Sequence, residues 1–120
     1  MAKIHMEIDG VDITLITSSR LVKFMRKIGI NKRLLGITLG STIRWGGAPK
    51  DVTQWFLAHE FCHVLQYQKM GFFKFYWTYL TGLLKTSYHT HPMEIEAHDY
   101  GLANGPRMVT YLGPLAKIDK

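Results

Sequence analysis

The segment LAHEFCHVLQYQKMG, residues 57–71, constrains the fold of this chain more than any other. It is rich in apolar residues and ends at a glycine, so the sequence predicts a helix from about Asp51 to Met70 with Gly71 as its stop. The HExxH pattern lies in the middle of that helix, among aromatic and aliphatic side chains. Because buried polar groups need partners, the rest of the fold has to supply them.

His59 and His63 are four residues apart, which places them about 40° apart on one face of a helix. Both imidazoles can therefore bind a single metal ion, and Glu60 flanks the pair as a candidate general base. The alternative is that the two histidines are core residues satisfied by ordinary hydrogen bonds. Cys62 lies inside the motif, and we interpret it as a small buried side chain rather than a ligand.

The composition indicates one globular domain. The chain has 120 residues, of which 47% are hydrophobic, enough for a core of its own. Its single cysteine excludes an intramolecular disulfide, which is consistent with a reducing compartment. The first residues lack the apolar region of a secretory signal, and no stretch has the roughly 18 apolar residues of a spanning helix. These features together predict a cytoplasmic protein.

The net charge of +6 raises the question of an acidic partner such as nucleic acid or anionic lipid. No recognisable nucleic-acid motif accompanies the basic residues, so we interpret them as a solvated helix face and expect no nucleic-acid partner. The densest group consists of Lys23, Arg26, Lys27, Lys32 and Arg33.

Shorter patterns divide the remaining chain into strands and helices. Residues 3–16 alternate around Asp9-Gly10, which predicts a type I′ hairpin. Ser18 and Ser19 are caps for a helix that stops near Gly29, and residues 37–45 contain two short strands around Gly40-Ser41. Pro49 suits the first turn of the HExxH helix, and a last helix covers residues 93–103.

The run FFKFYWTYLTGLL, residues 72–84, is dense in aromatic residues. It can cover the core, line a substrate pocket, or rest weakly at a membrane surface between Lys74 and Lys85. Because aromatic side chains dominate core energetics, the sequence favours packing in the core.

A catalytic zinc site usually takes three protein ligands, and the candidates for the third lie in residues 87–105. On a helix from Met93, Glu94 shares a face with the small residues Ala97 and Gly101, which allow close approach to another helix. Glu94 can then reach an ion held by the HExxH histidines, whereas Glu96 serves only if the helix begins later. The candidates are His89, His91, Glu94, Glu96, His98 and Asp99.

HEFCH followed by Glu-Ile-Glu-Ala resembles the gluzincin metallopeptidases, in particular their minimal single-domain members. The resemblance implies an α+β, zincin-like domain over residues 1–120, with a short sheet packed on the HExxH helix. Glu94 matches the third zinc ligand and Glu60 the catalytic base. His98 occupies a position that is often acidic in that family, where the residue supports a zinc histidine, so this support is altered.

The resemblance also implies an edge strand that pairs with extended substrate, for which residues 41–45 are the candidate. It further implies an oxyanion stabiliser and a tail, residues 107–120, that is peripheral or covers the cleft. Candidate stabilisers are His89, His91, His98, Tyr67 and Tyr100.

The resulting hypothesis is a zinc-dependent peptidase that cleaves a peptide or protein substrate with a zinc-bound water activated by Glu60. One alternative is a metal-binding but inactive or latent domain with a structural or regulatory role. Another is a basic helical module that binds membrane or nucleic acid, in which the HExxH pattern is incidental.

Overall fold

The computed structural model describes residues 2–28, 35–86 and 91–117. Within these ranges the chain forms a four-stranded mixed sheet and five α-helices, which confirms the predicted α+β class. The strands are β1 (Lys3–Ile8), β2 (Val11–Ile16), β3 (Gly36–Leu39) and β4 (Thr42–Trp45), and they follow the order β1-β2-β4-β3 across the sheet.

The hairpin predicted around Asp9-Gly10 is confirmed. Strand β1 (Lys3–Ile8) pairs antiparallel with β2 (Val11–Ile16). Asp9 and Gly10 both have positive φ, 52° and 79°, as a type I′ turn requires. The reversal is therefore fixed by local chemistry.

Helix α1 (Arg20–Lys27) begins after Ser19, whose side chain accepts a hydrogen bond from the backbone N–H of Val22. This confirms the predicted cap, while the predicted stop at Gly29 lies outside the described residues. The chain then forms β3 (Gly36–Leu39) and β4 (Thr42–Trp45), an antiparallel pair.

Strand β4 is not the edge strand that residues 41–45 were predicted to form. It pairs with β3 on one side and runs parallel to β2 on the other. The edge strand next to β4 is β3, because the parallel pairing with β2 occupies the second side of β4.

Helix α2 (Gln54–Met70) carries the HExxH motif and begins later than predicted. Pro49–Asp51 forms a separate 3₁₀ turn, and Thr53 caps α2 by accepting a hydrogen bond from the backbone N–H of Phe56. The predicted stop is confirmed at Gly71, whose φ of 81° favours glycine. Helix α3 (Phe72–Lys85) follows immediately.

Helix α4 (Pro92–Asn104) packs against α2 more extensively than any other helix does. The approach depends on small residues, since a Cβ atom at Gly101 would lie 2.7 Å from Nε1 of Trp55. Ala97 is completely buried in the same contact.

The tail continues through a 3₁₀ turn (Pro106–Met108), α5 (Val109–Leu112) and a second 3₁₀ segment (Gly113–Lys117). Met108 and Leu115 are buried in the main core. The described part of the tail is therefore packed on the domain.

The core lies between one face of the sheet and α2. Ile13, Leu15 and Ile43 from the strands meet Phe61 and Val64 from the helix. The sheet covers one side of α2, and α4 covers another side. The polar residues of α2 are therefore buried together with its apolar residues. Within the described ranges, no helix combines the length and the apolar character that crossing a bilayer requires.

The prediction that the aromatic run, residues 72–84, packs in the core is wrong for most of α3. Phe75 is buried, but five large apolar side chains of this helix face solvent. They are Phe72, Phe73, Trp77, Leu80 and Leu84.

Candidate metal centre

Helix α2 brings the three polar residues of the HExxH motif together. His59, Glu60 and His63 are each 6% exposed, and one ligand atom from each lies within 4.8 Å of the others. Such a cluster of imidazoles and a carboxylate can hold a metal ion.

Helix α4 adds Glu94 to this cluster, as the periodicity of residues 93–103 predicted. Its Oε1 atom lies 3.1 Å from Nε2 of His59 and 2.9 Å from Nε2 of His63. Glu94 is 5% exposed, so its charge is balanced inside the protein rather than by solvent. Three atoms of the types that bind zinc therefore converge on one point.

Gln66 fixes which nitrogen of His63 carries a proton. The Gln66 amide nitrogen donates to the backbone carbonyl of Met93 at 3.1 Å and to Oε1 of Glu96 at 2.7 Å. Neither partner can donate, so the amide oxygen of Gln66 must face His63 Nδ1, 2.8 Å away. Nδ1 of His63 is consequently the protonated nitrogen.

In a neutral His63 this arrangement leaves a lone pair on Nε2 that faces a carboxylate oxygen of Glu94. Two acceptors 2.9 Å apart require a proton or a cation between them. Burial lowers the pKa of His63, but the hydrogen bond that the protonated His63 donates to Glu94 and the nearby Glu60 carboxylate outweigh burial and raise the pKa. The same pull on positive charge suits a metal ion, so the donor set fits one.

His59 is held differently. Its Nδ1 atom is buried and has no hydrogen-bond partner among the described residues. The ring packs against Trp55, with ring centroids 4.5 Å apart. His98, expected near a zinc histidine, contacts the same tryptophan, with ring centroids 5.7 Å apart. The Nδ1 side of His59 is therefore held by packing alone, while its Nε2 atom faces Glu94.

Glu60 lies farther from the two histidine nitrogens than Glu94 does. Its Oε2 atom is 3.9 Å from Nε2 of both histidines, beyond hydrogen-bond distance but directed at the same point. Burial raises the pKa of Glu60, and the two histidines only partly oppose this. A carboxyl group with a raised pKa is better suited to accept a proton near neutral pH.

Tyr79 contacts the site, although sequence reasoning missed it. This residue of α3 donates its hydroxyl hydrogen to Oε2 of Glu94, the oxygen that does not face the histidines. The available signal was helical spacing, since Phe75, Tyr79 and Gly82 share one face of α3.

The other candidate residues have structural roles or lie elsewhere. His91 caps α4 by accepting from the backbone N–H of Met93, and its Nε2 donates to the carbonyl of Tyr79 at 2.9 Å. Tyr67 packs against Phe75, and Tyr100 binds Arg107. His89 lies outside the described residues.

A cavity of about 340 Å³ opens onto this cluster. Glu60, His63 and Glu94 contribute its polar part, while β3 and α3 contribute mostly apolar walls. No residue of the tail, as far as the structure describes it, lines the cavity. The cavity is therefore bordered by the edge strand and by the aromatic helix.

Comparisons with protein-family models, with curated proteins and with solved structures find no match for this chain.

Proposed function

We propose that the protein is a zinc-dependent peptidase of the gluzincin type. The observation that carries this proposal is the convergence of His59 Nε2, His63 Nε2 and Glu94 Oε1 on one buried point, with Glu60 beside it. Two imidazoles and one carboxylate are a donor set that catalytic zinc sites use.

In this proposal each residue of the site has a separate role. His59, His63 and Glu94 would hold the ion, which when bound would polarise a substrate carbonyl and acidify water. Oε2 of Glu60 takes a proton from the attacking water and returns it to the departing amine nitrogen. Tyr79 keeps the Glu94 carboxylate turned so that Oε1 faces the histidines.

The cavity favours an extended peptide as substrate. Strand β3 lines it and, in the described part of the chain, has a ladder partner on one side only. A peptide can add to the free side through backbone hydrogen bonds, with alternate side chains entering the cavity. Ile37, Tyr76 and Leu80 make an apolar surface for one of those side chains.

A second candidate, a metal-binding domain without peptidase activity, is favoured by one observation. Nδ1 of His59 has no hydrogen-bond partner within the described residues, so that ligand lacks the outer support that tunes catalytic zinc.

Zinc content and peptide cleavage, measured on the same preparations, test both candidates. We expect one zinc per chain in the wild type, loss of zinc in His59→Ala and Glu94→Ala, and normal zinc in the control His98→Ala. Glu60→Gln should retain zinc and lose cleavage of a peptide library. Circular dichroism checks the fold of each variant.

The outcomes separate the candidates. Absence of bound zinc in the wild type after reconstitution would contradict both. Zinc binding without cleavage of any peptide supports the domain without activity, and cleavage that survives in Glu60→Gln contradicts the role of Glu60.

A further inference from the structure

One face of α3 exposes a stripe of large apolar side chains. Phe73, Trp77, Leu80 and Leu84 are 85%, 73%, 57% and 87% exposed. Their spacing of four, three and four residues places them within an arc of about 60° on the helix. The opposite face, which includes Phe75, packs inward.

The sequence that surrounds the stripe contains basic residues but no acidic ones. Lys74 and Lys85 lie on one flank of the helix, and no aspartate or glutamate occurs in the sequence between Glu60 and Glu94. The whole chain has a net charge of +6. An apolar stripe with cationic flanks is complementary to a surface that is apolar beneath an anionic layer.

Helix α1 repeats this chemistry on another border of the cavity. Phe24 and Ile28 are 56% and 54% exposed, and the sequence has no acidic residue between Asp12 and Asp51. Met25 of α1 and Leu80 of α3 both line the cavity. Two helices with exposed apolar and basic residues therefore border the same opening.

We propose that α3 is an interfacial helix that binds the surface of a bilayer containing anionic lipid. Trp77 and Phe73 are residue types that settle at the boundary between headgroups and acyl chains, and the lysines can extend toward lipid phosphates. The helix has 14 residues, about 21 Å, which suits lying along the surface.

The charges and the side-chain types of the stripe argue against two other occupants. A second copy of the chain would bring Lys74 and Lys85 against a surface with the same charges. A nucleic acid would find aliphatic side chains, Leu80 and Leu84, where its bases need aromatic rings or hydrogen-bond partners.

Co-sedimentation of the full chain with vesicles tests the proposal. Vesicles of phosphatidylcholine with phosphatidylglycerol should bind the protein, and vesicles of phosphatidylcholine alone should bind it weakly. The double variant Trp77→Ser, Leu84→Ser should bind more than about tenfold less. A matched control, Leu102→Ser with Val109→Ser, changes exposed residues of other helices and should bind like the wild type.

Fluorescence locates the contact independently. Vesicles should shift the tryptophan emission of the wild type to shorter wavelength. Trp77→Phe should still bind the vesicles but should lose most of that shift, because Trp45 and Trp55 do not lie on the stripe.

Three outcomes would each overturn the proposal. They are equal binding to both kinds of vesicle, unchanged binding of the Trp77 and Leu84 double variant, and an equal loss of binding in the control pair. A dimer in light scattering that the Trp77 and Leu84 double variant dissociates while the wild type ignores vesicles would also overturn it. Glu60→Gln should bind vesicles normally, so the membrane proposal and the proposed peptidase can fail separately.

Discussion

Replacing Gln66 by leucine removes the side chain that orients His63. The amide of Gln66 makes three hydrogen bonds, to His63 Nδ1, to the carbonyl of Met93 and to Glu96. Leucine fills a similar volume but can make none of them. His63 is then free to place its proton on Nε2, the nitrogen needed for the metal.

The size of the effect follows from these contacts. Gln66 is 5% exposed, and a buried hydrogen bond contributes about 1 kcal/mol, so the free energy of unfolding should fall by about 2–3 kcal/mol. Loss of an outer partner of a metal histidine weakens metal binding by about 10–100-fold.

Two measurements separate these effects. Urea denaturation of the metal-free protein gives the stability change, and competition with a chromophoric chelator gives the zinc affinity under conditions where the variant is folded. Gln68→Leu is the matched control, because Gln68 is exposed on the same helix. It should change neither quantity by a comparable amount.

A folded Gln66→Leu variant that binds zinc as tightly as the wild type would contradict the proposed role of Gln66. Gln66 would then have no influence on the proton of His63, and the Glu96–Gln66–His63 chain would have a purely structural role.

Three further predictions concern neighbouring residues. Tyr79→Phe, which removes the hydroxyl bound to the carboxylate ligand of α4, should weaken zinc binding by about tenfold in the chelator assay without altering the circular dichroism spectrum; unchanged affinity would contradict this role. Burial, reinforced by a nearby carboxylate, raises the pKa of Cys62 to about 12, so DTNB at pH 8 should titrate this thiol only after unfolding. Rapid reaction of the folded protein would show an accessible thiolate. Gly82→Ala should lower the free energy of unfolding by about 1–3 kcal/mol in urea, because the new methyl carbon would lie 2.8 Å from Cε1 of His91. Gly113→Ala, with no atom within 4 Å of the added carbon, is its control and should not show this loss.

Features of the fold that depend on neighbouring residues could be predicted from the sequence. The hairpin follows from the positive φ that Asp9-Gly10 tolerates, and the start of α1 follows from the cap at Ser19. The approach of Glu94 to the histidines follows from helical periodicity and from the small size of Ala97 and Gly101.

Features that depend on contacts between distant parts of the chain could not be predicted from the sequence. The parallel pairing of β2 with β4, which leaves β3 at the edge, joins segments that are far apart in the sequence. Pro49 suits a helix start, but the chain makes a 3₁₀ turn there and uses Thr53 as the cap of α2.

The exposed stripe of α3 and the role of Gln66 also could not be predicted from the sequence. Residues 72–84 are apolar on nearly every side, so periodicity does not show which face packs inward. Gln66 acquires its role only through Met93 and Glu96, and helical periodicity does not show that either of them lies within hydrogen-bond distance of Gln66.

The junction at Gly71 has a mechanical consequence. Only this residue separates α2 from α3, so any tilt of α3 would pivot at Gly71, at the end of the helix that carries the histidines. Tyr79 is eight residues from Gly71, which is about 12 Å along the helix, and a tilt of about 10° would move Tyr79 by about 2 Å. A hydrogen bond does not survive such a displacement. The hydrogen bond from His91 to the carbonyl of Tyr79 and the one from the Gly40 backbone to Tyr76 both restrain this tilt and so help to keep Tyr79 beside Glu94.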